Sequence, residues 1–513
     1  MRYCADFSII LSGTIDLGNL VDMAEKIIGR DEEQAVLKEL FNSKKAEFLA
    51  IYGRRRIGKT MLIRVFFEDK GTIFLNTTGA LRGSMREQID NFTQQIGEAF
   101  YQGAQLKSGK DWSETFKILN DSIKAAPSNK KIILFLDEFP WMATRNSKLL
   151  QNLDYYWNQH WSRDSRIKLI ICGSSASWII KNIINNKGGL HNRITRTIHL
   201  EPYNLRDTKR FLNHVGVKLN HQQIAQLYMV TGGVPYYLSY VERGLSATQN
   251  IGNLAFRRKS FLLGEFDNLF AALFEDADVC INIVRTIAKN RYGIDQEDLF
   301  NRIKHFSKGG RSIDKLKALE DASFIIKFTP HLHNRKGIYY KVIDEYTLFY
   351  FNWIEPLKET LLLRGMKKNY WESVQNAPEW YNWAGYSFEA ICYKHILQIS
   401  EALNMSPTAI PNTWKYAPIN DSREQGAQID LLFDRKDNAI TLCEIKYTEK
   451  PFEINRQYAA QLNKKIDVFK KVTRTSKQIF LAIISANGLK NTMYAEEMVD
   501  GIVTLDDLFK KDE

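Results

Sequence analysis

Between residues 27 and 200, short runs of consecutive apolar, β-branched residues alternate with stretches whose apolar positions recur every three to four residues. The runs at 48–52, 72–75, 132–136 and 168–172 are almost unbroken, as strands covered on both faces are, and strands separated by helices make a parallel sheet. From about 205 to 360 the spacing is mostly helical. Beyond 383 it is mixed again, with strands expected near 428–433, 440–445 and 479–484. The pattern divides the chain into a peripheral segment over 1–26, an α/β core over 27–204, a helical segment over 205–270, and helices closing in a hairpin over 271–360. An aromatic-rich connection over 361–382 then leads to a second α/β domain over 383–513. A length of 513 residues fits this division, because one hydrophobic core does not grow that large.

Composition narrows the class. The chain is 44% hydrophobic and 25% charged, which excludes long disorder. Its net charge of +12 favours an anionic partner, although many basic proteins bind no nucleic acid. Cys4, Cys172, Cys280, Cys392 and Cys443 are scattered with no CxxC pair, against a zinc site or a disulfide framework and in keeping with a reducing cytoplasm. No apolar run is long enough to span a bilayer, so no membrane partner is expected.

The segment Gly53-Arg54-Arg55-Arg56-Ile57-Gly58-Lys59-Thr60 fits GxxxxGK[ST] in full, after an expected strand and before an expected helix. Glycines let such a loop wrap so that backbone N–H groups and the helix N-terminus face phosphate oxygens. Lys59 would reach the β- and γ-phosphates of ATP, and Thr60 would hold Mg²⁺. The strand at 132–136 ends in Asp137 and Glu138, where Asp137 would bind the metal and Glu138 would polarise the attacking water. Ser174, at the end of the next strand, could sit between these carboxylates and the γ-phosphate, or simply end a strand. Arg193 or Arg196 could act as an arginine finger on a neighbouring copy in a homo-oligomer; a solvated basic loop is the plain alternative.

Together with Ile28-Gly29-Arg30-Asp31-Glu32-Glu33, Gly173-Ser174-Ser175 and Thr231-Gly232-Gly233-Val234-Pro235, these motifs resemble the archaeal-type AAA+ ATPases and their STAND-like relatives. The resemblance covers residues 27–238 and implies a P-loop core followed by a helical lid over 205–270. It also implies that Gly29 and Arg30 lie near the adenine and that Pro235 lies in the lid. A lid arginine of the usual second-sensor type is not evident.

Residues 277–344 read as three helices and a hairpin, the order of a winged helix. Residues 301–341 carry ten Lys/Arg against three Asp/Glu. Lys315 and Lys317 on the third helix, with Arg335 and Lys336 at the wing, could contact DNA phosphates; contacts with protein are the alternative.

In the last domain, Glu444 and Lys446 are two apart on a strand and so share a face, and Asp430 on a neighbouring strand can meet them. Two carboxylates and a lysine suit a divalent metal and an activated water. Glu389 lies on an upstream helix, and Gln457 and Gln461 share one face of a downstream helix. The pattern resembles the PD-(D/E)xK nucleases, whose fold is restriction-endonuclease-like. That resemblance implies Asp430 and Glu444 as Mg²⁺ ligands, Lys446 as the water-activating group and Glu389 as an accessory carboxylate. The expectation is thus an α/β protein that hydrolyses ATP, acts on DNA and carries a Mg²⁺-dependent nuclease. The alternative is an ATP-controlled regulatory or assembly switch whose last domain binds nucleic acid without cleaving it.

Overall fold

The computed structural model describes residues 26–511 apart from 69, 186–189, 191, 304–305, 307–308, 332–336, 407 and 417–425. Arg335 and Lys336, and all but the last residue of the expected peripheral segment, fall outside the described residues. The chain divides into two compact units: one runs to Tyr52 and takes in Gly58–Gly173 and Ile179–His199, and the other holds Gly53–Ile57, Ser174–Trp178 and Leu200 onward.

The first unit is built on five strands: β1 (Glu47–Tyr52), β2 (Ile73–Thr78), β3 (Ile132–Asp137), β4 (Ile167–Gly173) and β5 (Arg196–His199). All pair in parallel, in the order β2-β3-β4-β1-β5. The four apolar runs are four of these strands, and β3 and β4 are buried at every position, which is why they read as unbroken hydrophobic stretches. Strand β4 lies between the strand that leads into the P-loop and the strand that ends in Asp137. The sequence around Arg196 forms an edge strand rather than a loop, because Thr195, Thr197 and Ile198 are β-branched.

In the second unit, helices at Leu205–His214, His221–Thr231 and Phe261–Leu273 precede a small α/β segment. Its order is a helix at Ala277–Ala288, β6 (Ile294–Asp295), helices at Gln296–Arg302 and Gly310–Asp321, then β7 (Ile325–Phe328) and β8 (Tyr339–Val342). The three strands form an antiparallel sheet with β8 in the centre. The aromatic-rich stretch at 361–382 is not an open connection. It is largely helical, and Trp371 and Trp380 are buried against one another, with Trp371 also stacked on Phe256.

The last sheet comprises β9 (Ile410–Tyr416), β10 (Ala427–Asp434), β11 (Ala439–Lys446), β12 (Gln478–Ser485) and β13 (Gly501–Thr504), in the order β13-β12-β11-β10-β9. Strands β9, β10 and β11 are antiparallel; β11, β12 and β13 are parallel. The parallel step from β11 to β12 is crossed by the helix Arg456–Thr473, as a parallel connection requires. A continuous set of buried apolar residues runs from Tyr203 to Phe509, so the helices and this sheet share one core.

Candidate functional site

The P-loop takes the conformation its glycines allow. Gly53 has φ +147, and a Cβ there would lie 2.1 Å from the Leu200 carbonyl oxygen. Gly58, at φ +90, opens the helix Lys59–Phe67. Lys59 is buried in the first turn, and the Thr60 hydroxyl donates to Asp137 Oδ2 at 2.7 Å. Loop and strand end therefore meet as the sequence leads one to expect, and a hydroxyl beside a carboxylate is an oxygen donor set suited to Mg²⁺. Glu138 follows at φ +43, a left-handed turn that ends β3 and begins a short helix with Pro140 in its first turn. Cys172 lies beside this group; burial, then the charges of Asp137 and Glu138 against that of Lys59, keeps its thiol protonated.

The other expected nucleotide residues are distributed as follows. Gly29 and Arg30 are both left-handed; Arg30 is buried beside Glu33, and Gln34 donates to the Gly29 carbonyl at 2.7 Å. Ser174 is buried. Pro235 begins the helix Pro235–Leu238, and the next residue, Tyr236, donates its amide to the Arg56 carbonyl. Arg193 is exposed, whereas Arg196 pairs with Glu39 at 3.2 Å.

Two loop arginines have partners that the motif does not reveal. Arg54 is fully buried and paired with Asp344, which also caps the helix Glu345–Phe349. Burial alone would drive the guanidinium toward neutrality; Asp344, with a smaller push from Tyr237, overrides it. Burial likewise opposes the charge on Asp344, and Arg54 and Lys394 restore it. Arg56 pairs with Glu265 at 2.9 Å and lies over the ring of Tyr236.

In the last sheet, the register Leu431↔Cys443 puts Asp430 across from Glu444, one step past the final ladder pair, and therefore on the same face. The β9–β10 register shifts between Ile429 and Leu432, so Asp430 sits at an irregularity in the sheet. Its carboxylate accepts from the Ile445 amide at 3.4 Å. Burial, then the neighbouring charges of Glu444 and Glu389, pushes Asp430 up to about 7. Glu444 is buried, but Lys446 at 2.8 Å and Lys465 at 2.8 Å outweigh that burial and hold it ionised; the Tyr458 hydroxyl also donates to it.

Glu389 does not face a cation position with the other two. Its oxygens are taken by Arg291 at 2.8 Å and Lys341 at 3.1 Å. Among the described residues, no group of three or more His, Cys, Asp or Glu converges on one metal position. Lys465, Arg291 and Lys341 were not anticipated. Lys465 continues the Gln457, Gln461 spacing along one helix face, which is a signal that could have found it. In the small α/β segment, Lys315 is paired with Asp276, so its charge is already balanced. The residue leading into the hairpin tip, His331, donates its amide to the Thr413 carbonyl of β9 and stacks on Phe469.

A P-loop on a parallel sheet, with one strand between the loop strand and the Asp137 strand, is the arrangement of an AAA+ ATPase fold. Residues 27–241 match the family model described as an ATPase domain predominantly from Archaea. Residues 350–462 match a second model, described as archaeal and bacterial proteins of unknown function. An uncharacterised protein of Methanocaldococcus jannaschii is 25% identical over 426 residues, 82% of this chain and 88% of that protein. An uncharacterised ATP-binding protein of the same organism is 49% identical over 43 residues, 8% of this chain and 73% of that protein. Among solved structures, a Walker-type ATPase of Pyrococcus abyssi matches at 18% identity and a TM-score of 0.44, over 63% of this chain and 96% of that one. No helix among the described residues is long and apolar enough to cross a membrane.

Proposed function

We propose that this chain is an ATP-controlled switch that acts on DNA, and that its last domain holds nucleic acid without cutting it. In this reading Lys59 contacts the transferring phosphate, Thr60 and Asp137 hold Mg²⁺, and Glu138 orients water. The metal would neutralise charge on the phosphates. Ser174 senses the γ-phosphate, Gly29 and Arg30 border the adenine, and Pro235 belongs to a lid over 205–270. The exposed Arg193 is the better finger candidate in a homo-oligomer, since Arg196 already has Glu39. Residues 271–360 are read as a winged helix and 383–513 as a restriction-endonuclease-like domain, in a cytoplasmic protein.

The observation that carries the binding reading is the charge around the last sheet. Glu444 is held by Lys446 and Lys465, Glu389 by Arg291 and Lys341, and Asp430 lies across from Glu444, so four cations accompany three carboxylates. Carboxylates already neutralised by side chains attract a metal weakly, while the surplus cation favours a polyanion. A second reading, metal-dependent cleavage, is favoured by one feature: Asp430 lies across from Glu444, with Lys446 on the same face. The two separate in one experiment. Supercoiled DNA is incubated with Mg²⁺ and either the native chain or Asp430→Ala, and binding is measured in parallel with EDTA. Binding without nicking supports the switch. Nicking that Asp430→Ala removes would establish the nuclease instead.

A further inference from the structure

The turn Asn290-Arg291-Tyr292-Gly293 projects two side chains toward the carboxylate site of the last sheet. It is a rigid turn. The Gly293 amide donates to the Asn290 carbonyl at 2.9 Å, and the Asn290 side chain donates to the Thr286 carbonyl at 2.8 Å. Gly293, at φ +86, lies so close to the Phe328 ring that a Cβ would approach within 2.9 Å. Arg291 is held by Glu389 at 2.8 Å yet its side chain stays 42% exposed. Tyr292 is 46% exposed, which is a large apolar ring left in water. Two cations lie over that ring: the Arg291 guanidinium and the Lys415 ammonium are each 5.7 Å from its centroid. Lys415 is on the edge strand β9 and is exposed.

The turn is also electrostatically part of the site. Asp430 acts on Arg291, after burial, Glu389 and Tyr292. An exposed aromatic ring with cations beside it is the arrangement that stacks an unpaired base while the cations move to the adjoining phosphates. A duplex offers phosphates but no free base face, so it uses only half of this arrangement.

We propose that Arg291 and Tyr292, with Lys415, form a platform for an unpaired nucleotide strand at the mouth of the Asp430–Glu444 site. Tyr292 stacks on a base, and Arg291 and Lys415 take the flanking phosphates. This rests on the reading of the last domain as a nucleic-acid holder and names the form of nucleic acid it holds.

The test uses the full chain in EDTA, so that cleavage cannot intervene. Fluorescence anisotropy measures binding of a single-stranded oligonucleotide and of a duplex of equal length. A 2-aminopurine base within the single strand reports stacking by its quenching. The single strand should bind more tightly than the duplex. Tyr292→Ala should weaken it by at least roughly fivefold and abolish the quenching, and Tyr292→Trp should restore both. Because Tyr292 is exposed, its loss leaves the core intact, and ATP turnover by Tyr292→Ala should match the native chain. If the native chain binds the single strand and Tyr292→Ala binds and quenches equally, the platform is wrong while the binding reading stands. Tighter binding of the duplex also overturns the platform. If the native chain binds neither form, the binding reading itself falls.

Discussion

The two sheets each carry carboxylates toward the ends of their strands, but they surround them differently. In the parallel sheet, Asp137 accepts from the Thr60 hydroxyl and from the Glu138 amide. At the mixed sheet, Glu444 on β11 and Glu389 on the helix Pro378–Lys394 are each gripped by two cationic side chains. A carboxylate held by neutral donors retains its charge for a bound cation; one held by ammonium and guanidinium groups has largely given that charge away. On the function proposed above, a carboxylate near a strand end would draw a metal in the first case and balance an anion-binding surface in the second.

The largest effect should come from the Arg54–Asp344 pair. Asp344→Ala leaves the Arg54 charge buried without its partner, and should cost roughly 3–5 kcal/mol in urea unfolding. A loss below about 1 kcal/mol would show that the P-loop does not depend on this pair. Next in size, Lys59→Ala should reduce ATP turnover roughly 10²-fold or more, read by phosphate release, while single-strand binding is retained. Asp137→Asn should likewise stop turnover. Near-normal hydrolysis by either variant would break the comparison on the nucleotide side.

A third effect is set by pH. His395 is buried, donates from Nδ1 to the Ile391 carbonyl at 2.8 Å and accepts the Leu205 amide on Nε2 at 3.0 Å, so it is held neutral. Burial lowers it to about 4 from the ordinary 6.5. A depressed pKa means that the unfolded chain binds the proton first as pH falls. The stabilisation is complete above about 6.5 and is lost between there and about 4, amounting to ~3 kcal/mol. Urea midpoints of His395→Gln should lack this component, and identical pH profiles would refute it. The smallest effect is the most discriminating. Glu444→Gln frees Lys446 and Lys465, so single-strand affinity should rise several-fold and its salt dependence steepen. A decrease would mean that Glu444 does not restrain those lysines.

What could be read from the sequence follows from how local each arrangement is. The P-loop is legible because a loop that wraps a phosphate must use adjacent residues, and Gly53, Gly58, Lys59 and Thr60 fall within eight positions. The three central strands β1, β3 and β4 are legible because they are buried on both faces, and the edge strand β2 through its apolar start Ile73-Phe74-Leu75. Strand β9 is not, since an edge strand containing Pro411 lacks that signature. Asp430, Glu444 and Lys446 could be grouped by strand alternation alone. The cations that change their meaning could not: Arg291 and Lys341 reach Glu389 from 98 and 48 residues away. Arg54 occupies a position where the motif accepts any residue, and nothing local marks it as needing an acid.

The 290-residue separation between Arg54 and Asp344 also has a consequence for synthesis. At roughly 5–20 residues per second, a ribosome finishes the P-loop about 15–60 seconds before it supplies Asp344. During that interval the Arg54 charge lacks the acid that later offsets its burial. The loop must stay open to water or borrow another anion, and the nucleotide-binding segment completes its folding only after most of the chain has emerged.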